Sequence, residues 1–152
     1  MSVVDIDINR VKGLELLKSY GLPKDKIMLM NSSWQAILGI RENGDLDVLC
    51  TPDILKHFES IVEKPVSIMK HVHWYLTPFG KTPEDLIKNH SVEIDGVNVL
   101  AFGTYKKMLN IRAERGKVQA SAARLGKKSE RDLLTVEDLV DNGNGMPVLK
   151  DQ

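Results

Sequence analysis

The stretch 27-IMLMNSSWQAILGIRENGDLDVL-49 decides the fold. It opens with an apolar run, 26-KIMLMN-31, of the length and composition of a buried strand. Ser32 or Ser33 then stands where a helix cap is expected, and Trp34, Ala36, Ile37 and Leu38 supply a short apolar helix. Gly39 to Gly44 is a turn-forming loop that carries Arg41. A second strand, 45-DLDVLC-50, closes the unit. On a strand, residues two apart share a face, so Asp45 and Asp47 present two carboxylates together while Leu46 and Val48 point the other way. Two neighbouring anions raise each other's energy unless a cation sits between them. Mg²⁺ suits such a pair, because it takes oxygen ligands and leaves sites open for substrate phosphates. The plainer reading is a polar end on an exposed strand.

Working outward, a helix is expected from Asn9 to Tyr20, with Val11, Leu14 and Leu17 as its apolar stripe and Gly21 and Pro23 as its stop. After the aspartates, Thr51-Pro52 reads as a cap followed by a first-turn proline, and Ile54, Phe58, Ile61 and Val62 recur at helical spacing. Pro65 ends that helix, and 66-VSIMKHVHWYL-76 reads as a strand. Thr82 caps a short helix, 84-EDLIKNH-90. In 91-SVEIDGVNVLAF-102 the Asp95-Gly96 pair suits a two-residue hairpin turn, which pairs Ile94 with Val97, Glu93 with Asn98 and Val92 with Val99. A helix follows to about Glu114. Residues 112–131 are polar and basic and read as partly loop, a last helix covers 131-RDLLTVEDLV-140, and 141–152 reads as a peripheral tail. The mixture of elements predicts one small α/β (α+β) domain over residues 1–140, a mixed sheet flanked by helices.

With 152 residues, a core can form without disulfides, and the one cysteine, Cys50, has no internal partner. The 21 basic and 21 acidic side chains cancel, so net charge favours no class of partner. No apolar run approaches a membrane span and the N-terminus does not read as a signal peptide. The expectation is a cytoplasmic protein that does not enter the membrane.

The segment 27–49 resembles the signature of the nucleotidyltransferase superfamily, whose fold is shared with DNA polymerase β. That signature is an apolar strand, a Gly-Gly or Gly-Ser turn, a short helix, a loop and a strand with Asp-x-Asp. The phrase 39-GIRENGDLDVL-49 is similar to the Gly-x-Arg-x-x-x-Asp-x-Asp of small members, which include antibiotic nucleotidyltransferases and toxin-like enzymes of abortive-infection systems. Later elements fit the same order: the hairpin 93-EIDGVNVL-100, a helix with Lys106 and Lys107, and 127-KKSERDLLTVEDL-139. The resemblance implies a nucleotidyltransferase-like fold and transfer of NMP from a nucleoside triphosphate such as ATP to a hydroxyl, which an RNA end, a protein side chain or a small molecule would supply. It implies Mg²⁺ on Asp45 and Asp47, phosphates held by Ser32 and Ser33, and leaving charge neutralised by Arg41 and by Lys106 or Lys107.

Two departures stand out. Asn31-Ser32-Ser33 replaces the glycine turn, although asparagine tolerates the backbone angles such a turn requires. The family's third carboxylate on the following strand falls at His71 or His73, and a histidine can act as base near neutral pH. Glu93 or Asp95 is the acid that the hairpin offers instead. The departures leave a second reading open, a domain on the same fold that binds nucleotide, nucleic acid or protein without catalysis. In either reading a dimer would supply the wall that larger members build from a second domain.

The remaining candidates have structural alternatives. His71 and His73 share a strand face and form half of a zinc set. Trp34 and Trp74 suit base stacking or core packing. Arg112, Arg115, Lys117, Arg124, Lys127, Lys128 and Arg131 suit a triphosphate, an RNA backbone or a solvated helix face.

Overall fold

A computed structural model describes residues 4–69 and 82–150. The chain packs as two compact units, an N-terminal one over Asp5–Leu100 and a C-terminal one from Ala101 onward. Together they hold a mixed five-stranded sheet, a two-stranded hairpin and six α-helices among the described residues.

In the N-terminal unit the strands are β1 (Ile27–Leu29), β2 (Leu46–Cys50), β3 (Val66–Ile68), β4 (Ser91–Ile94) and β5 (Val97–Leu100). They lie in the order β3-β2-β1-β5-β4. β1 runs antiparallel to β2 and parallel to β5, β2 is parallel to β3, and β4 and β5 form an antiparallel hairpin. Register places Leu29 beside Val48 and Val99, and Val48 beside Ile68, so one face is apolar from edge to edge. The other face is apolar at its centre, with Met28 beside Leu49, and becomes polar toward both edges, with Asp47 beside Ser67 and Glu93 beside Asn98. The hairpin register is the one expected, and both turn residues, Asp95 at φ 48° and Gly96 at φ 81°, take the left-handed angles that such a turn requires.

The helices of this unit are α1 (Leu14–Ser19), α2 (Ser33–Ile37), α3 (Pro52–Ile61) and α4 (Pro83–Asn89). The helix expected from Asn9 to Tyr20 is split. A 3-10 turn covers Ile8–Arg10, and α1 starts only after Gly13, whose φ of 92° no regular helix accepts. The helices after Thr51 and Thr82 form as read, and the Thr82 hydroxyl accepts the Asp85 N–H at 3.1 Å. Leu14 and Leu17 of α1 lie with Ile27, Leu29 and Val97 around a cavity of about 190 Å³, rimmed by Lys18, Lys24, Asp95 and Asn98. Trp34 is fully buried and its indole N–H donates to the Leu100 carbonyl at 2.6 Å, so it packs in the core and offers no stacking surface. Trp74, Tyr75 and the strand expected over 69–76 lie outside the described residues beyond Met69.

The C-terminal unit pairs two helices, α5 (Phe102–Val118) and α6 (Ala123–Thr135), and ends in the hairpin of β6 (Leu139–Asp141) and β7 (Pro147–Leu149). Here the sequence reading needs correction. Residues 112–131 are helical apart from a short break at Gln119–Ala122, and the last helix begins eight residues before Arg131. The helices meet where Gly116 faces Gly126, so closely that a Cβ on either would stand 2.7 Å from the other's Cα. The segment read as a tail is tied down by one carboxylate. Asp141 accepts the N–H groups of Gly143 and Gly145 at 2.7 and 2.9 Å and that of Gly103 at 2.8 Å.

Candidate functional site

The chain leaves β1 at Met30, whose N–H donates to the Asp47 carbonyl at 3.0 Å, and then turns sharply. Asn31 makes the turn at φ 53°, a left-handed angle that asparagine accepts more readily than most residues with a Cβ. Its side-chain amide donates to Asp47 Oδ2 at 2.6 Å. One residue therefore both makes the turn and gives a hydrogen bond to the second aspartate. The sequence signal for the shape was present. The bond itself depends on β1 and β2 pairing in this register.

Ser33 is buried, and its hydroxyl donates to the Met30 carbonyl at 2.8 Å. Its donor serves the turn. Ser32 is half-buried at the N-cap position of α2, and its side chain makes no capping bond. Of the two serines predicted to hold phosphate, Ser32 has the hydroxyl more available for one.

The loop from Gly39 to Asp45 is held at both ends by residues that sequence reasoning passed over. Gly39 has φ 72°, and a Cβ there would stand 2.9 Å from the Arg10 guanidinium. Arg10 donates to the Ile37 carbonyl at 3.0 Å and pairs with Asp5. The buried Asn43 clamps Lys12, accepting its N–H at 2.8 Å and donating to its carbonyl at 2.9 Å. Neither clamp leaves a periodic signal, because each joins segments about thirty residues apart. Arg41 is half-buried between them, its N–H donating to Gln35 and its guanidinium to the Glu42 carbonyl at 3.2 Å.

Asp45 is exposed immediately before β2, and Asp47, the second residue of the strand, is half-buried. Parallel pairing sets Ser67 of β3 directly beside Asp47. Sequence reasoning overlooked Ser67, since it looked for an acid or a base further along. His71 and His73, the residues it chose, lie outside the described residues.

Glu93 is not brought to this place. β4 is three strands from β2 in the sheet, roughly 14 Å at the usual spacing, and Glu93 is paired with Lys24 at 3.1 Å. Asp95 lies in the turn of the same hairpin. Lys106 and Lys107 belong to the C-terminal unit. Lys106 is half-buried and donates to the Leu139 carbonyl at 2.6 Å, and burial, with Lys150 nearby, lowers its pKa from the ordinary lysine value. Lys107 is exposed. Cys50 is buried at the end of β2, and desolvation, with Glu59 and Asp53 nearby, raises its thiol to about 11. It belongs to the core and is unsuited to act as a nucleophile.

Among the described residues no group of three or more His, Cys, Asp and Glu is placed to hold a metal. Asp45 and Asp47 by themselves would offer two hard oxygen ligands. That suits Mg²⁺, which is commonly held by one or two carboxylates with water and substrate phosphates completing its shell. It does not suit an all-protein cage. No helix among the described residues is long and apolar enough to cross a membrane. Comparison with protein-family models, curated proteins and solved structures returned no match.

Proposed function

We propose that this chain is a nucleotidyltransferase on a nucleotidyltransferase-like fold, moving NMP from a nucleoside triphosphate to a hydroxyl acceptor with Mg²⁺ held at Asp45 and Asp47. The single observation that carries the reading is the Asn31–Asp47 hydrogen bond across antiparallel β1 and β2. It joins the turn and the aspartate strand, the two halves of the motif, into one place. In this reading Ser32 donates to a phosphate oxygen and Arg41 balances charge that develops on the leaving pyrophosphate. Asn31 holds Asp47 in a fixed orientation, so that the carboxylate need not reorganise during the reaction. The bound ion would neutralise phosphate charge and polarise the phosphoryl oxygens.

A second reading is favoured by a specific observation. Ser67, which parallel pairing sets directly beside Asp47, is a hydroxyl and adds no third acid at that point of the strand. On that account the same site binds nucleotide without transferring it.

Calorimetric titration of each nucleoside triphosphate, with and without Mg²⁺, tests both readings against the wild type and Asp45→Asn/Asp47→Asn. The proposal expects Mg²⁺-dependent binding that the double variant loses, together with pyrophosphate release when RNA or protein acceptors are added. Binding without pyrophosphate release, in the presence of both acceptor classes, would leave the second reading in its place. Absence of binding in the wild type, or equal binding by the double variant, would overturn both.

A further inference from the structure

Three cations of the N-terminal unit are held in ion pairs. Arg10 pairs with Asp5, Lys24 with Glu93 and Lys26 with Asp53. In the C-terminal unit Lys117 pairs with Glu114. α6 differs. Arg124, Lys127, Lys128 and Arg131 are all exposed on this one helix, and none has an ion pair or hydrogen bond among the described residues. The helix buries Gly126 and Ser129 on its opposite side and Asp132 at the flank next to Lys128. At 100° per residue the four cations fall within an arc of about 100° centred on solvent, and Glu130 lies outside that arc. Their spacing along the axis covers about 10 Å.

We propose that this face of α6 binds the phosphodiester backbone of nucleic acid. Four like charges held on one rigid face repel one another, and a polyanion removes that repulsion. Over about 10 Å a duplex presents roughly six phosphate charges, enough to engage every cation of the stripe. A membrane surface fits less well, because an interfacial helix needs a continuous apolar face in contact with lipid. The exposed leucines of α6, Leu125 and Leu134, flank the basic arc on opposite sides and form no such stripe. The inference stands apart from the nucleotide site, since it rests on α6 alone.

The test is fluorescence anisotropy with a labelled RNA hairpin across a range of salt. The wild type should bind with log affinity falling against log salt at a slope of about −3.6, the duplex value for four phosphate contacts. Arg124→Gln/Lys127→Gln/Lys128→Gln/Arg131→Gln should bind at least tenfold more weakly with a slope near zero. Lys128→Gln alone, which leaves most of the surface intact, should reduce the slope by about one. Lys18→Gln/Lys56→Gln, which removes two exposed cations of the N-terminal unit, should bind as the wild type does. No RNA binding by the wild type would overturn the proposal. So would equal binding by the quadruple variant, or binding to phosphatidylserine vesicles but not to RNA.

Discussion

The sheet of the N-terminal unit and the α5–α6 contact of the C-terminal unit are closed by different means, although α5 itself also buries Phe102, Tyr105, Met108 and Leu109. The sheet is filled by large side chains, with Trp34, Met28, Leu29, Leu46 and Leu49 among the fully buried ones. Its strength is apolar area removed from water. The helix pair relies partly on small residues. Gly116 and Gly126 bring two backbones into contact, and α6 buries Gly126, Ser129 and Asp132. Its strength there comes from close approach and polar contacts, which need a more specific geometry. The comparison shows that a helix can be firmly placed without the apolar stripe that usually announces it.

The largest expected effect lies in the sheet. Trp34→Ala removes a buried indole and leaves the Leu100 carbonyl without its donor, and should cost about 3–5 kcal/mol. A shift in the urea midpoint followed by circular dichroism measures it. A change under 1 kcal/mol would mean that the indole is not the centre of this core.

The helix pair should fail at a much smaller insult. Gly126→Ala adds one methyl group against a backbone that cannot move aside, and should cost about 1–3 kcal/mol. Gly44→Ala is the matched control. Nothing lies within 4 Å of a Cβ at that position and its φ is not left-handed. It should be neutral, or stabilising by up to about 1 kcal/mol. Equal effects of the two substitutions in the same urea assay would remove the glycine contact from the comparison.

The smallest perturbation is chemical. With its thiol raised to about 11 from an ordinary 9.0, Cys50 carries roughly a hundredfold less thiolate at pH 8 than an unperturbed cysteine. Its alkylation should therefore be at least that much slower in the native protein than in urea. Rapid native labelling would show that the β2 end of the core opens to solvent.

Much of the N-terminal unit was legible before any coordinates. Asp95-Gly96 set the β4–β5 register because a two-residue turn admits few pairings, and Thr51-Pro52 and Thr82 marked helix starts through local capping chemistry. The turn at Asn31 and the strand at Asp47 were legible as separate pieces. The Arg10 and Asn43 clamps were not, since each is a contact between segments distant in sequence. Gly13 broke the first expected helix for a local reason, its positive φ, that an apolar count does not register. The polar segment 112–131 was misjudged because its buried positions are arginine, alanine, glycine and serine, which form no apolar stripe.

The sequence by itself determined the alternation of strands and helices, the hairpin turn and the residue types of the candidate site, because these follow from backbone preferences and hydrophobic spacing over a few residues. Tertiary structure alone decided that Asn31 grips Asp47, that Ser67 stands beside it and that Glu93 does not. It also decided that α6 turns its cations to solvent and its glycine inward. Those outcomes depend on strand order and helix approach, which are settled by contacts between distant segments.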